Sequence, residues 1–319
     1  MTVTVGGHRY SDPDVLSLIH SGREPLDPRV EVIRKARELN ARLRLFGNVE
    51  DPRERLEILA SFADIIVSPM TDSPSAAQNR EALLFRNSSG ERHAYYDPTP
   101  SEGRVSFSIA HEIAHTFFGN SLTGARFRSV HVDQSREANE LERLCDLGAS
   151  ELLMPQEEFL EELGDDFGLH AIPRMAARFC SSYEATLFRL ASTYPRLSIA
   201  GRLVYRYRKS EERRIKAASQ LGLFGEVDNG DTVPEPKYRR QSLHNSSGCG
   251  GPRHSIPWNK SFDQTSCVYT AKDASEIVRS AESLPNGSGQ AGSIECVRAP
   301  YQRQLLDDDF PDVLFLWWK

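Results

Sequence analysis

Residues 106–119, SFSIAHEIAHTFFG, contain two histidines four positions apart and a glutamate beside the first. On a helix, positions i and i+4 lie on one face, one above the other, so His111 and His115 point the same way. That spacing suits two imidazole nitrogens that meet one tetrahedral Zn²⁺, and Glu112 projects beside them as a candidate proton acceptor. Apolar residues flank the pair, so we expect a largely buried helix whose histidines need polar partners.

A catalytic zinc site needs a third protein ligand and one open position. A third histidine six residues after the second is ruled out, because that position is Ser121. The following segment ELERLCD offers Glu142, and Asp146, one helical turn later, could accept the second N–H of a ligand histidine. Glu140 is the competing ligand, on a different helix face. Three interpretations of Cys145 are open: a thiol ligand, a redox switch, or a small buried apolar side chain.

Around these segments the pattern predicts an α+β domain. LDPRVEVIRKARELNARLRLFGN reads as a helix that Asp27 caps and Gly47 ends, and EDPRERLEILASFA repeats the Asp-Pro start. DIIVSP reads as a strand, and two apolar runs flanking NSSG predict a β-hairpin. Residues 1–212 are therefore predicted to form one domain of helices with a small antiparallel sheet and a short helical extension.

The composition changes after this domain. Residues 213–236 are polar and contain helix breakers, which predicts a linker. Residues 237–319 then alternate Ser/Gly/Pro clusters with short strand-like runs (SCVYT, SIECVRAPY, DVLFLWW) and one helical run, AKDASEIVRSAESL. We expect a small α+β domain there.

The totals argue against several classes of protein, although a local basic patch such as RYRKSEERRIK leaves a nucleic-acid contact open. A net charge of −6 argues against a nucleic-acid surface. The five cysteines are scattered and odd in number, which does not favour a disulfide framework. The first residues lack an apolar signal core, and no apolar run approaches the length of a membrane span. We expect a cytoplasmic protein.

FSIAHEIAHTFF followed by ERLCDLGASELLMP resembles the ImmA/IrrE family of metallo-endopeptidases, which pairs HExxH with a later glutamate, an Asn/Asp position and an LLMP-like ending. Glu142 falls on the glutamate ligand and Asp146 on the Asn/Asp position. This sequence departs from the pattern at Cys145, where alanine is usual, and at Gly148, where phenylalanine is usual. The resemblance spans roughly residues 25–208.

The resemblance implies a minimal zincin-like fold of the gluzincin class. It also implies cleavage of a helix-turn-helix repressor of the XRE type, in a stress or mobile-element response, and often a C-terminal regulatory domain, the place of residues 237–319. With His111, His115 and Glu142 as ligands, Glu112 would take the proton from the attacking water. Zinc suits this donor set, and Mn²⁺ and Fe²⁺ also fit it.

A second donor to the developing oxyanion is often present in such enzymes. Tyr95, Tyr96 and His131 are candidates because they flank the ligand segments, although strand tyrosines are more often packing residues and loop histidines more often solvated. Two other functions stay open: a non-catalytic regulator that binds a repressor without cutting it, and a toxin-like general peptidase.

Overall fold

The computed structural model describes residues 2–70, 80–118, 126–129, 136–194, 197–220, 234–246, 256–285, 289, 291–300 and 310–319. The chain divides into two compact units, one of residues 1–164 and 173–182 and the other of residues 165–172 and 183–319. Both mix helices and strands, so the predicted α+β class is confirmed. Within the described ranges, none of the helices combines the length and the apolar character needed to cross a bilayer.

The first unit contains a helical layer, a small sheet and an N-terminal hairpin. Its elements are β1 (Val3–Val5), β2 (His8–Tyr10), α1 (Pro13–Ile19), α2 (Pro28–Phe46), α3 (Pro52–Phe62), β3 (Ile65–Pro69), β4 (Arg80–Arg86), β5 (Arg92–Tyr96), α4 (Glu102–His115), β6 (Arg126–Ser129), α5 (Arg136–Leu153), α6 (Gln156–Leu163) and α7 (Ile172–Arg178). A 3₁₀ turn, Thr116–Phe118, continues α4.

The sheet of this unit has the order β3-β5-β4-β6. β4 and β5 form the hairpin that NSSG predicts, with Leu84 opposite Ala94. β3 and β5 run parallel, so the sheet is mixed rather than purely antiparallel as expected. Leu84 and Ala94 are buried on the face that packs against the helices, which gives α4 an apolar floor.

The second unit is built on a five-stranded antiparallel sheet. Its elements are α8 (Tyr183–Thr193), β7 (Ser198–Arg206), α9 (Lys209–Gln220), β8 (Lys237–Asn245), α10 (Cys267–Ala271), β9 (Val278–Ser283), β10 (Ala291–Arg298) and β11 (Val313–Trp318), with the strand order β8-β7-β11-β10-β9. The core on one side of the sheet includes Tyr238, Val268 and Phe315.

The division of the chain differs from the predicted boundary at residue 212. β7 lies between β8 and β11 in the second sheet, and the buried Arg202 on it forms ion pairs with Glu184 of α8 and with Asp312. α8 and β7 therefore belong with the second unit. Residues 209–220, which overlap the predicted linker, form helix α9. The regulatory role of residues 237–319 stays a prediction.

Two local predictions in the second unit are wrong. SCVYT, expected as a strand, begins helix α10, which Ser266 caps by accepting a hydrogen bond from the backbone N–H of Val268. The second half of the expected helix AKDASEIVRSAESL is strand β9, because it pairs along its length with β10. Pairing with a neighbouring strand outweighs the helical preference of such a short segment.

Candidate metal centre

Helix α4 carries both histidines into the interior of the first unit. Ile109 and Ile113 are fully buried, and so are His111, Glu112 and His115. The helix is therefore buried around much of its circumference, as the apolar residues beside the histidines predict. The two imidazole rings lie with their centroids 4.9 Å apart and their planes at 74°.

The Nε2 atoms of both rings face the same carboxylate on α5. Nε2 of His111 lies 3.0 Å from Oε2 of Glu142, and Nε2 of His115 lies 3.7 Å from Oε1 of Glu142. Atoms bound to one tetrahedral zinc at its usual bond lengths are roughly 3.3–3.5 Å from each other. The two observed separations lie on either side of that value, so the Glu142 carboxylate is close to the spacing that a shared ion would require.

The Nδ1 atoms of the two rings meet two other side chains of α5. Nδ1 of His111 lies 3.0 Å from Oδ1 of Asp146, the contact that the sequence predicts for this aspartate. Nδ1 of His115 lies 3.4 Å from Sγ of the buried Cys145. Each ring therefore has an inner nitrogen that faces Glu142 and an outer nitrogen with a partner of its own.

His111, His115 and Cys145 also form a cluster in which one donor atom of each lies within 4.8 Å of the others. The cluster offers a second reading of the site, with the thiol in place of Glu142. The signal for it was present in the sequence, since Cys145 follows Glu142 by three positions and so lies near the same helix face.

Glu140, the competing ligand, is engaged elsewhere. Its carboxylate accepts hydrogen bonds from the backbone N–H groups of Ser11 at 2.8 Å and Asp12 at 3.3 Å. These bonds attach the N-terminal segment to α5. Of the two glutamates, only Glu142 is observed facing the histidines, and its assignment as a ligand stays a prediction.

Helix α5 reaches the histidines because it packs very closely on α4. A Cβ atom at Gly148 would lie 2.9 Å from Cβ of Ala114 and 3.1 Å from Cγ1 of Val32. Gly148, which departs from the ImmA/IrrE pattern that the sequence resembles, is thus matched to surroundings that have no room for a side chain.

Sequence reasoning missed two residues of α2 that hold this arrangement in place. Lys35 donates a hydrogen bond of 2.6 Å to the carbonyl oxygen of Phe117, just past the end of α4, and burial lowers the pKa of its ammonium group. A cation at a helix C-terminus is favourable there. Asn40 donates to the carbonyl oxygen of Glu151 on α5 at 3.0 Å. Neither residue belongs to a motif, so only the fold reveals them.

The proposed oxyanion donors find no support in the described contacts. The Tyr95 ring stacks on His93 with centroids 5.9 Å apart, and the guanidinium of Arg53 lies 4.4 Å from the centre of the Tyr96 ring. Their assignment as oxyanion donors stays a prediction. His131 lies outside the described residues.

Taken together, the two imidazoles and the Glu142 carboxylate form one group of donors, with the buried carboxylate of Glu112 beside them. The Glu142 side chain is 25% exposed, so the group of donors is open to solvent on the side of this carboxylate. Nitrogen and carboxylate donors with one side open are characteristic of catalytic zinc sites. The residues present therefore fit a divalent metal ion.

Comparisons with known proteins concern the family and the fold. The sequence model of the IrrE N-terminal-like domain, a peptidase family, matches residues 74–191, which contain both ligand helices. No curated protein matches the chain. Among solved structures, a Mycobacterium tuberculosis transcriptional regulator is similar over 92% of this chain and 76% of its own, with a TM-score of 0.52 and 14% identity. At that identity the likeness concerns the fold alone.

Proposed function

We propose that this chain, whose residues 74–191 match the model of the IrrE N-terminal-like domain, is a metal-dependent endopeptidase. One observation carries the proposal: the carboxylate of Glu142 faces Nε2 of both His111 and His115, at 3.0 and 3.7 Å. Two histidines and a glutamate leave a fourth position open for water or substrate. We expect Zn²⁺, and Mn²⁺ and Fe²⁺ are alternatives that the same donors accept.

The bound ion would supply Lewis-acid polarisation of the scissile carbonyl and acidify the attacking water. The protein supplies the proton transfers. Glu112 follows His111 directly on α4 and is buried, where its carboxylate would take the proton of the attacking water and pass it to the leaving amine. Asp146 Oδ1 lies 3.0 Å from Nδ1 of His111 and would accept the proton on that nitrogen, so that Nε2 keeps the free electron pair for the ion.

We further propose that the substrate is a helix-turn-helix repressor of the XRE type, which the chain cuts to relieve repression. The resemblance to the ImmA/IrrE family supports this choice. The solved structure with the same fold is described as a transcriptional regulator, which is consistent with a role in gene control.

The test compares Glu112→Gln with Glu102→Gln, a matched control on the exposed first turn of the same helix. Each zinc-loaded protein is mixed with a helix-turn-helix repressor encoded beside its gene and, separately, with unfolded casein. We expect the wild type and the control to make one specific cut in the repressor. Glu112→Gln should retain the metal and make no cut.

Other outcomes point to the other functions. A stable complex with the repressor and no cleavage by the wild type would favour a non-catalytic regulator. Digestion of casein at many sites would favour a general peptidase. Full cleavage by Glu112→Gln would refute the assignment of the proton acceptor.

A further inference from the structure

Cys145 belongs to the cluster that it forms with His111 and His115. The ImmA/IrrE pattern does not predict its contact with His115, because alanine is usual at this position. Its Sγ lies 3.4 Å from Nδ1 of His115, and both side chains are buried. The residue precedes Asp146, whose Oδ1 lies 3.0 Å from Nδ1 of His111. The two neighbours on α5 therefore each meet the outer nitrogen of a different histidine.

The thiol can serve this site in two ways, as a metal ligand in place of Glu142 or as a partner that orients His115. The two ring nitrogens of an imidazole point away from each other, and a neutral ring carries a proton on one and a free electron pair on the other. Glu142 faces Nε2 of both rings, whereas the sulfur faces Nδ1 of His115. An ion shared by both Nε2 atoms would therefore lie across the ring from the sulfur.

We infer that Cys145 is a positioning residue that accepts a hydrogen bond from Nδ1–H of His115, so that Nε2 of this ring keeps the free electron pair for the metal. The inference rests on the proposed metal site and extends it. Asp146 does the same for His111, with a carboxylate. Sulfur is a weak acceptor, so this chain holds its two ligand histidines with partners of unequal strength.

Two substitutions separate positioning from packing. Cys145→Ala and Cys145→Ser both shorten the side chain, but only serine keeps an acceptor for Nδ1–H. Loss of an outer partner of a metal ligand weakens metal binding about 10- to 100-fold, and we expect the lower end for a thiol, about tenfold. Cys145→Ser should stay within about threefold of the wild type, since the hydroxyl accepts the same bond.

The measurements are the Zn²⁺ dissociation constant, obtained by competition with a chromophoric chelator, and the absorption spectrum of the Co²⁺-loaded protein. A thiolate bound to Co²⁺ gives an intense near-ultraviolet charge-transfer band, and we expect none in the wild type. Cys180→Ser is the control: Cys180 lies in the same unit, and its sulfur accepts from Oγ of Ser106 at 3.4 Å rather than from a histidine. It should leave the affinity unchanged.

Equal affinity losses in Cys145→Ala and Cys145→Ser would overturn the inference, because packing alone would then explain them. A charge-transfer band that disappears in Cys145→Ser would also overturn it and make the thiol a ligand. Neither result would refute the proposed endopeptidase activity, which the cleavage assay tests separately. A wild-type protein that binds no metal would instead refute the proposed function, and the inference with it.

Discussion

The close contact between α4 and α5 allows a quantitative prediction at Gly148. In Gly148→Ala the new Cβ would lie 2.9 Å from Cβ of Ala114 and 3.2 Å from Cε2 of Phe117. Carbon atoms in contact prefer about 3.5–4.0 Å. The Cβ of Ala114 cannot rotate away, because its position is fixed by the backbone. The two helices must therefore separate locally by roughly half an ångström or more.

Two effects of opposite sign decide the stability of this variant. Overpacking of a tight core costs about 1–3 kcal/mol. Replacing a helical glycine by alanine stabilises the helix by about 1 kcal/mol. The difference is a loss of about 0–2 kcal/mol in the free energy of unfolding, and the contact below 3 Å favours the upper half of that range. The affinity for Zn²⁺ should fall as well, because α5 carries Glu142.

The assay uses the distribution of tryptophan in the chain. All three tryptophans, Trp258, Trp317 and Trp318, belong to the second unit. In a urea titration of metal-free protein, circular dichroism should show part of the helical signal lost at lower urea in Gly148→Ala. Tryptophan fluorescence should keep its midpoint. Arg143→Ala, at an exposed position of α5, is the control and should change neither signal. An increase of about 1 kcal/mol in stability, the value of helix propensity alone, would refute the packing argument.

The remaining predictions concern the acids of α5 and a buried thiol. Glu142→Gln should abolish stoichiometric Zn²⁺ binding measured by atomic absorption, whereas Glu140→Gln should retain the metal and only increase hydrogen exchange in the N-terminal segment that it holds. Asp146→Ala should weaken Zn²⁺ binding about 10- to 100-fold in a chelator competition, because it removes the acceptor of a ligand histidine. Burial raises the pKa of the Cys296 thiol well above its usual range, so the unfolded chain ionises first. The contribution of this thiol to stability should therefore be constant below about pH 8.5 and be lost above it, so stability measured by fluorescence should fall less above that pH in Cys296→Ala than in the wild type.

Local chemistry explains which parts of the fold could be predicted. Asp27 accepts a hydrogen bond from the N–H of Arg29, and α2 runs from Pro28 to Phe46 and ends at Gly47, as the Asp-Pro start and the glycine indicate. The capping aspartate and the terminal glycine act within one turn of the helix, so the sequence alone is enough to predict the two ends of the helix.

The second unit was harder to predict because its structure depends on distant partners. Val278–Ser283 is a strand only because residues 291–296 lie beside it, and β7 enters the second sheet because β11, more than a hundred residues later, pairs with it. No pattern within either segment encodes that pairing. The predicted boundary at residue 212 follows a change in composition, whereas the observed division of the chain follows the pairing of strands.

The spacing of the site residues shows how much a helix pattern can determine. Two histidines at i and i+4 on α4 meet three side chains at i, i+3 and i+4 on α5, all near one face. Periodicity alone makes Glu142, Cys145 and Asp146 equivalent candidates, because each is close to that face. What separates them is which ring nitrogen each one meets, and that depends on how the helices pack. Glu142 reaches Nε2 of both rings, while Asp146 and Cys145 each reach one Nδ1. The close approach at Gly148 is part of this packing, so a single glycine in a helix helps to decide which donor can become a ligand.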